Sequence, residues 1–174
     1  NKVISLGGAN PTISGGTSDV LTTVREGLPI NAYWGYKTDG FLTQEDIDNG
    51  YARYDSRMTL GDLKYVDRNK GGKIDAEDMT EIGDEFPRLP FAISGNAAWK
   101  NFDFSFMFQG VMVAQTRVSG ALAEGGNFEG FTLNIFKDYW TPENLDARFP
   151  RPRKSVDYNS MMSDFWVIDA NYLR

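Results

Sequence analysis

The side chains best suited to chemistry in this sequence are carboxylates. From Asp62 to Glu85 there are eight acidic residues (Asp62, Asp67, Asp75, Glu77, Asp78, Glu81, Asp84, Glu85) against four basic ones (Lys64, Arg68, Lys70, Lys73). Counting Asp67 as position 1 places Asn69 at 3, Gly71 at 5, Gly72 at 6, Lys73 at 7, Asp75 at 9 and Asp78 at 12. This is the ligand spacing of an EF-hand loop, where a hard cation such as calcium gathers about six to eight oxygens, the residue at 7 offers its carbonyl and a glycine at 6 makes the sharp turn. Ile74, at position 8, would pin such a loop. Two positions depart from the pattern: Gly71 has no side-chain oxygen, and Asp78 is shorter than the usual bidentate Glu. The spacing therefore predicts either weak calcium binding by Asp67, Asn69, Lys73, Asp75 and Asp78, or a turn that keeps the loop shape without an ion.

Other chemistries are excluded by composition. Histidine and cysteine are both absent, which removes Ser-His-Asp and Cys-His catalysis, imidazole and thiolate zinc sites and any disulfide framework. A glycosidase needs two carboxyls at a set separation across a cleft, and nothing in the acid spacing singles out a pair. No enzyme is expected, and no cofactor beyond the optional calcium. The net charge of -6 argues against nucleic acid, whose phosphates need clustered Lys and Arg. Arg148, Arg151, Arg153 and Lys154 are interrupted by Pro150 and Pro152, and are expected to form a solvated loop.

Eighteen glycines and a mean hydropathy of -0.43 favour a sheet protein with long loops over a helical bundle. No apolar run approaches the ~18 residues of a spanning helix, but a membrane strand needs only ~9–11 alternating residues. The opening Asn-Lys-Val-Ile lacks the order of a signal peptide, and the ends together read as those of a segment of a longer chain. One stretch alternates cleanly. Phe91, Ile93, Gly95, Ala97 and Trp99 share a face, and after Lys100-Asn101 so do Phe102, Phe104, Phe106 and Phe108. A two-residue turn sets Trp99 opposite Phe102 and brings both sets to one side, with Asn101 expected to take the left-handed conformation. That face suits lipid better than a soluble sandwich, which mixes large and small aliphatic side chains. Asn96, Asp103, Ser105 and Gln109 on the other face suit a wet lumen.

If the hairpin spans a membrane, its short turn is periplasmic and both flanking segments lie outside the cell. The chain then divides into a strand end at 1–6, an extracellular loop region at 7–88, the membrane hairpin at 89–109, a second extracellular loop at 110–164 and the start of the next strand at 165–174. Trp99, Trp140, Trp166 and Tyr172 are candidates for interfacial aromatics or for loop packing. Tyr33, Trp34, Tyr36 and Phe41 offer either ring stacking on a ligand or packing around a tight turn. The expected fold class is all-β: antiparallel strands forming part of a large transmembrane β-barrel, with long extracellular loops.

Several strings, in order along nearly the whole chain, resemble the C-terminal barrel region of the SusC/RagA family of TonB-dependent outer-membrane transporters. They are Gly27-Leu28-Pro29-Ile30 with Tyr33-Trp34-Gly35-Tyr36-Lys37-Thr38-Asp39-Gly40-Phe41; Gly61-Asp62-Leu63-Lys64-Tyr65-Val66-Asp67; Lys73-Ile74-Asp75-Ala76-Glu77-Asp78; and Ile82-Gly83. Further on come Lys100-Asn101-Phe102-Asp103, Gln109-Gly110, Tyr139-Trp140-Thr141-Pro142-Glu143-Asn144, Pro150-Arg151 and Asn171-Tyr172-Leu173-Arg174. The resemblance implies a plugged barrel in the bacterial outer membrane. It would import oligosaccharides or peptides with a SusD-like surface lipoprotein and draw energy from the TonB complex. The family usually has Asp where this chain has Gly71. A different class remains open beside it, a soluble, calcium-stabilised β-rich binding module.

Overall fold

Period-two alternation yields the longest elements of the fold, and short strands with turns yield the rest. The computed structural model describes residues 2–15, 21–118, 134–153 and 158–174. Asn1, Lys154 and much of the second loop lie outside them. In chain order the strands are β1 (Thr12–Ser14), β2 (Thr22–Val24), β3 (Ala32–Gly35) and β4 (Thr38–Phe41), then helix α1 (Gln44–Asp48) and β5 (Leu63–Tyr65). They continue as β6 (Thr80–Asp84), β7 (Arg88–Trp99), β8 (Phe102–Val113), β9 (Gln115–Arg117), β10 (Val167–Asp169) and β11 (Tyr172–Leu173).

β7 and β8 form one antiparallel hairpin with Trp99 opposite Phe102, Ala97 opposite Phe104, Gly95 opposite Phe106 and Ile93 opposite Phe108. The ladder outruns the alternating stretch 89–109 and closes at Arg88 opposite Val113, since backbone pairing needs no apolar side chain. The turn differs from expectation in one detail. Lys100, not Asn101, has the positive φ, 54°, the sign pattern of a type II′ reversal, which asks for φ > 0 only at its first central residue. The Lys100 ammonium lies 4.8 Å from the Trp99 ring centroid.

β11 pairs with β8 on the side away from β7 (Tyr172 opposite Val111), and β10 pairs with β9 (Asp169 opposite Gln115). The chain returning through 167–173 thus runs back along 110–117, so three strands form a meander below the loops. Phe165 and Trp166 precede that strand in a 3-10 turn, Asp164–Trp166, and do not begin it as expected. Lys2–Leu6 forms no strand; Val3 instead bonds to Leu28 and Gly27 through the backbone.

The loop segments fold on each other. β1, β2, β3 and β6 make one sheet and β4 pairs with β5. The larger core holds Leu42, Met58, Leu63, Tyr65 and Ile74, all but sealed from water, with Tyr36 and with Tyr158 from the second loop, and a smaller one joins Tyr33 and Ile82 of the four-stranded sheet to Met162. α1 is a single capped turn: Thr43 and Asp46 exchange side-chain and backbone bonds as a capping box, and Lys64 holds Asp46 from β5 at 2.6 Å.

At the seam between the loops Asp62 is fully buried. Arg153 meets both of its oxygens, the Thr59 amide donates to Oδ2 at 2.7 Å and the Asn159 amide group to Oδ1 at 3.1 Å. Asn159 also accepts from the Leu63 amide and donates to the Arg151 carbonyl. Beside it Gly61, at φ +77°, leaves no room for a Cβ under the Trp140 ring. The expectation of a solvated basic loop is therefore corrected: Arg153 neutralises a buried carboxylate, and Arg151 reaches the Leu60 carbonyl. Asp62→Ala takes the buried carboxylate away from Arg153 and Asn159, whose donors still reach the Arg57 and Arg151 carbonyls. It is expected to cost about 3 kcal/mol, as when one partner of a buried pair is removed. Hydrogen exchange of the intact protein checks this, with lost protection expected at the Leu63 and Trp166 amides and none at Ala97 or Phe104.

Candidate functional site

The hairpin carries an aromatic stripe with nothing over it among the described residues. Phe102 and Phe104 are 75% and 63% exposed, and Phe106, Phe108, Ile93 and Trp99 are exposed too. Neighbouring rings touch along the strand, with Phe104 6.0 Å and Phe108 5.7 Å from Phe106 between centroids. Gly95 lets the Phe106 ring lie across β7, where a Cβ would collide with it. The opposite face, where Asn96 faces Ser105 and Ala98 faces Asp103, is small and polar except at the exposed Met107, which faces Ser94. A contiguous aromatic surface of this kind marks contact with an apolar medium or partner.

The four interfacial candidates separate. Trp99 and Tyr172 stay exposed near opposite ends of the three-stranded sheet, whereas Trp166 is buried, donating its indole N–H to the Asn159 carbonyl at 2.6 Å. Trp140 packs on Gly61. The loop aromatics are packing residues: Tyr33 and Tyr36 are buried, Phe41 meets Phe165 edge-on at 6.3 Å, and the Arg25 guanidinium covers Trp34 at 4.2 Å. Burial, with Tyr54, Asp75 and Asp78 nearby, pushes the Tyr36 phenol up to about 12, so it is no acid or base near neutrality. Stacking on a ligand is thereby ruled out for Tyr33 and Tyr36 in this fold.

The acidic loop closes on its own backbone. Asp67 accepts from the Gly71 amide at 3.0 Å and the Gly72 amide at 2.9 Å, and Asn69 Oδ1 accepts from Gly71 at 2.7 Å. Asp78, fully buried, takes the amides of Arg68, Asn69 and Asp75 at 2.8, 3.2 and 2.9 Å. Asp75 caps the 3-10 turn Ala76–Asp78 in a capping box with Asp78. Ile74 is sealed in the core and pins the loop, while Lys73 beside it is exposed. The structure thus gathers Asp67, Asn69, Asp75 and Asp78 around one turn with their oxygens turned to amides. No three acidic side chains converge as a cation cage among the described residues. The Asp62 node, by contrast, was missed from sequence; its only signal was an acid in the Gly61-Asp62-Leu63 string.

Burial would raise the Asp78 carboxyl, but the amides of Asp75, Asn69 and Arg68 prevail and hold its pKa below the usual value. A folded pKa below the unfolded value of ~3.9 means stability that is present above that value and lost as pH falls through the folded one. Acidification below about pH 4 is expected to release the Arg68, Asn69 and Asp75 amides to exchange. Asp78→Asn, with one acceptor oxygen fewer, is expected to weaken the turn by about 1–2 kcal/mol and to abolish that acid dependence, both read by hydrogen exchange across pH.

No family profile matches the chain. Among curated proteins it is similar to TonB-dependent receptor P26 of Formosa agariphila, with 29% identity over 185 aligned positions covering 100% of this chain and 18% of that receptor. It is also similar to TonB-dependent receptor P3 of the same organism, 25% identical over 151 positions, 87% of this chain and 15% of that receptor. The chain spans less than a fifth of the length of either relative. Its mostly strand structure is thus that of a chain similar, from end to end, to a segment of a TonB-dependent receptor.

Proposed function

We propose that this chain is a wall segment of an outer-membrane, TonB-dependent transporter of the SusC/RagA type, with β7 and β8 in the bilayer and the packed loops outside the cell. The observation that carries this reading is the one-sided aromatic face, exposed along both strands of the hairpin. Twelve residues per strand at ~3.3 Å each and a tilt of ~40° rise roughly 30 Å, enough for the ~25 Å apolar band of a barrel. β7 also stands at the edge of its sheet among the described residues, and a twelve-residue open edge calls for a neighbouring strand, which a barrel supplies. The likeness to TonB-dependent receptors supports the same reading. The transported cargo would be an oligosaccharide or peptide, handed over by a SusD-like surface lipoprotein, with energy from the TonB complex.

The competing reading, a soluble calcium-stabilised module, requires a second sheet over Phe102, Phe104, Phe106 and Phe108, and none covers them among the described residues. Phe108→Arg, halfway along β8, is expected to destabilise the barrel by about 2–4 kcal/mol at the lipid midplane. The lumen-facing Ser105→Arg is expected to cost far less. The amounts of each variant folded in outer membranes, scored by heat-modifiable gel mobility, test this; equal tolerance of both would sink the membrane assignment.

Calcium at the 67–78 turn is proposed to be weak, because Gly71 contributes no ligand and the Asp67 and Asp78 oxygens already serve amides. Titration calorimetry of the purified protein is expected to show no saturation below about 0.1 mM, the tight end of the range for extracellular calcium modules. A micromolar isotherm lost in Asp67→Ala would reverse that expectation.

A further inference from the structure

Three strand connections join the loop body to the hairpin, and each is interrupted at the same level. β6 ends at Asp84 and β7 starts at Arg88; β8 ends at Val113 and β9 starts at Gln115; β10 ends at Asp169 and β11 starts at Tyr172. The registers set these breaks side by side, because Arg88 faces Val113, Gln115 faces Asp169 and Val111 faces Tyr172. Between the last two pairs the returning strand has one residue fewer, 170–171 against 112–114, and Asn171 turns its side-chain oxygen to the Ala114 amide at 2.8 Å. Just inside β7, Leu89 has φ +53°, a conformation that a bulky residue rarely adopts. A cavity of about 410 Å³ opens along this line, its wall including Asp84, Arg88, Gln115, Asp169 and Asn171.

On either side of the line the structure is continuous. Below it the β7–β8 ladder runs without interruption from Phe91 to the turn. Above it both loops share one core and the Asp62–Arg153–Asn159 node. Few bonds cross. They are the ion pair of Arg88 with Asp84, whose Nε lies 2.6 Å from Oδ2, and the polar contacts that close on Ala114. The Asp84 amide also donates to Gln115 Oε1 at 3.1 Å. Bulges and strand breaks are where a sheet bends, and hinges sit in short connections between stiff bodies.

We propose that this line is a hinge, about which the two packed loops tilt as one body over the end of the hairpin, with the Arg88–Asp84 pair as the strap that limits the tilt. The device does not depend on what is transported; its test in a bilayer rests on the membrane reading of the hairpin, and a full-length protein that does not enter nanodiscs counts against that reading and not against the hinge. The test is carried out on the full-length protein in nanodiscs with pairs of spin labels; this chain contributes no cysteine of its own. One pair crosses the hinge, Glu45→Cys with Asn101→Cys. The other lies within the body and spans its two loops, Glu45→Cys with Glu143→Cys. The expected result is a broad distance distribution for the first pair, broader still in Arg88→Ala, and a narrow one for the second in both backgrounds. A first pair as narrow as the second, with no response to Arg88→Ala, overturns the hinge. A broad second pair overturns the single body, because the loops would then move apart independently.

Discussion

A carboxylate with no access to water must find its compensation inside the protein, and Asp62 finds all of it but one local amide across a gap of more than ninety residues. Its two oxygens take the Arg153 guanidinium, the Asn159 amide and the Thr59 backbone N–H. The node therefore exists only when residues 57–63 and 151–159 are together. Such a pair adds little net stability over a well-packed apolar alternative, since desolvation of both ions offsets most of the attraction. What it supplies is uniqueness. Leucines and tyrosines would tolerate several packings of two long loops, whereas a buried charge with four fixed donors tolerates one. The surrounding core, from Leu42 and Met58 to Tyr65 and Tyr158, then fills around a seam whose register is already set.

The two halves of the chain obey opposite rules of polarity. In the loop body most aromatic residues are buried or half-buried, Tyr54, Phe86 and Tyr139 excepted: Tyr33, Tyr36, Tyr65 and Tyr158 are buried, and the Tyr65 hydroxyl donates to the Tyr158 carbonyl at 2.7 Å. In the hairpin they go outside, four phenylalanines in a row, with a face behind them that is small and polar except at Met107. Water alone favours only the first, because the hydrophobic effect buries rings of either kind, so the hairpin face calls for an apolar partner or medium over it. A medium that is aqueous around the loops and apolar around the hairpin satisfies both at once. The interruption of all three strand connections between the two halves falls where that change of medium would fall.

Legibility from sequence follows the same division. The hairpin was readable because its information is local: a period of two over twenty residues fixes strand, register and face together, and the pairing of Trp99 with Phe102 follows from a two-residue turn. The acidic turn was readable for a similar reason, since Asp67, Asn69, Gly72, Ile74 and Asp78 act within twelve positions, although spacing could not say whether their oxygens look toward a cation or toward amides. The loop body was largely opaque. Its strands are three to five residues long, too short for a period to show, and its decisive contacts join distant segments. Arg153 looked like one of four basic residues in a proline-broken loop, and nothing local distinguishes an arginine that faces water from one that faces Asp62. Trp166 failed for the same reason, its indole partner Asn159 being set by the fold of the second loop.

The acidic turn also shows how a cation-loop pattern can be held by backbone amides. In a calcium loop the oxygens at positions 1, 3 and 12 bring the backbone round while the ion neutralises them. Here the amides of Gly71, Gly72, Arg68, Asn69 and Asp75 do that neutralising. The geometry still demands a sharp turn at Gly72, φ +76°, and an apolar anchor at Ile74, so those positions keep their residue types under either arrangement. Position 5 is freed, since a residue whose task is to donate an N–H to Asp67 and Asn69 needs no side-chain oxygen, and a Cβ at Gly71 would crowd Asn69 Oδ1. On that account Gly71 is the mark of a loop held by its own backbone: it removes a ligand from the ion and admits the close approach that the amide bonds require.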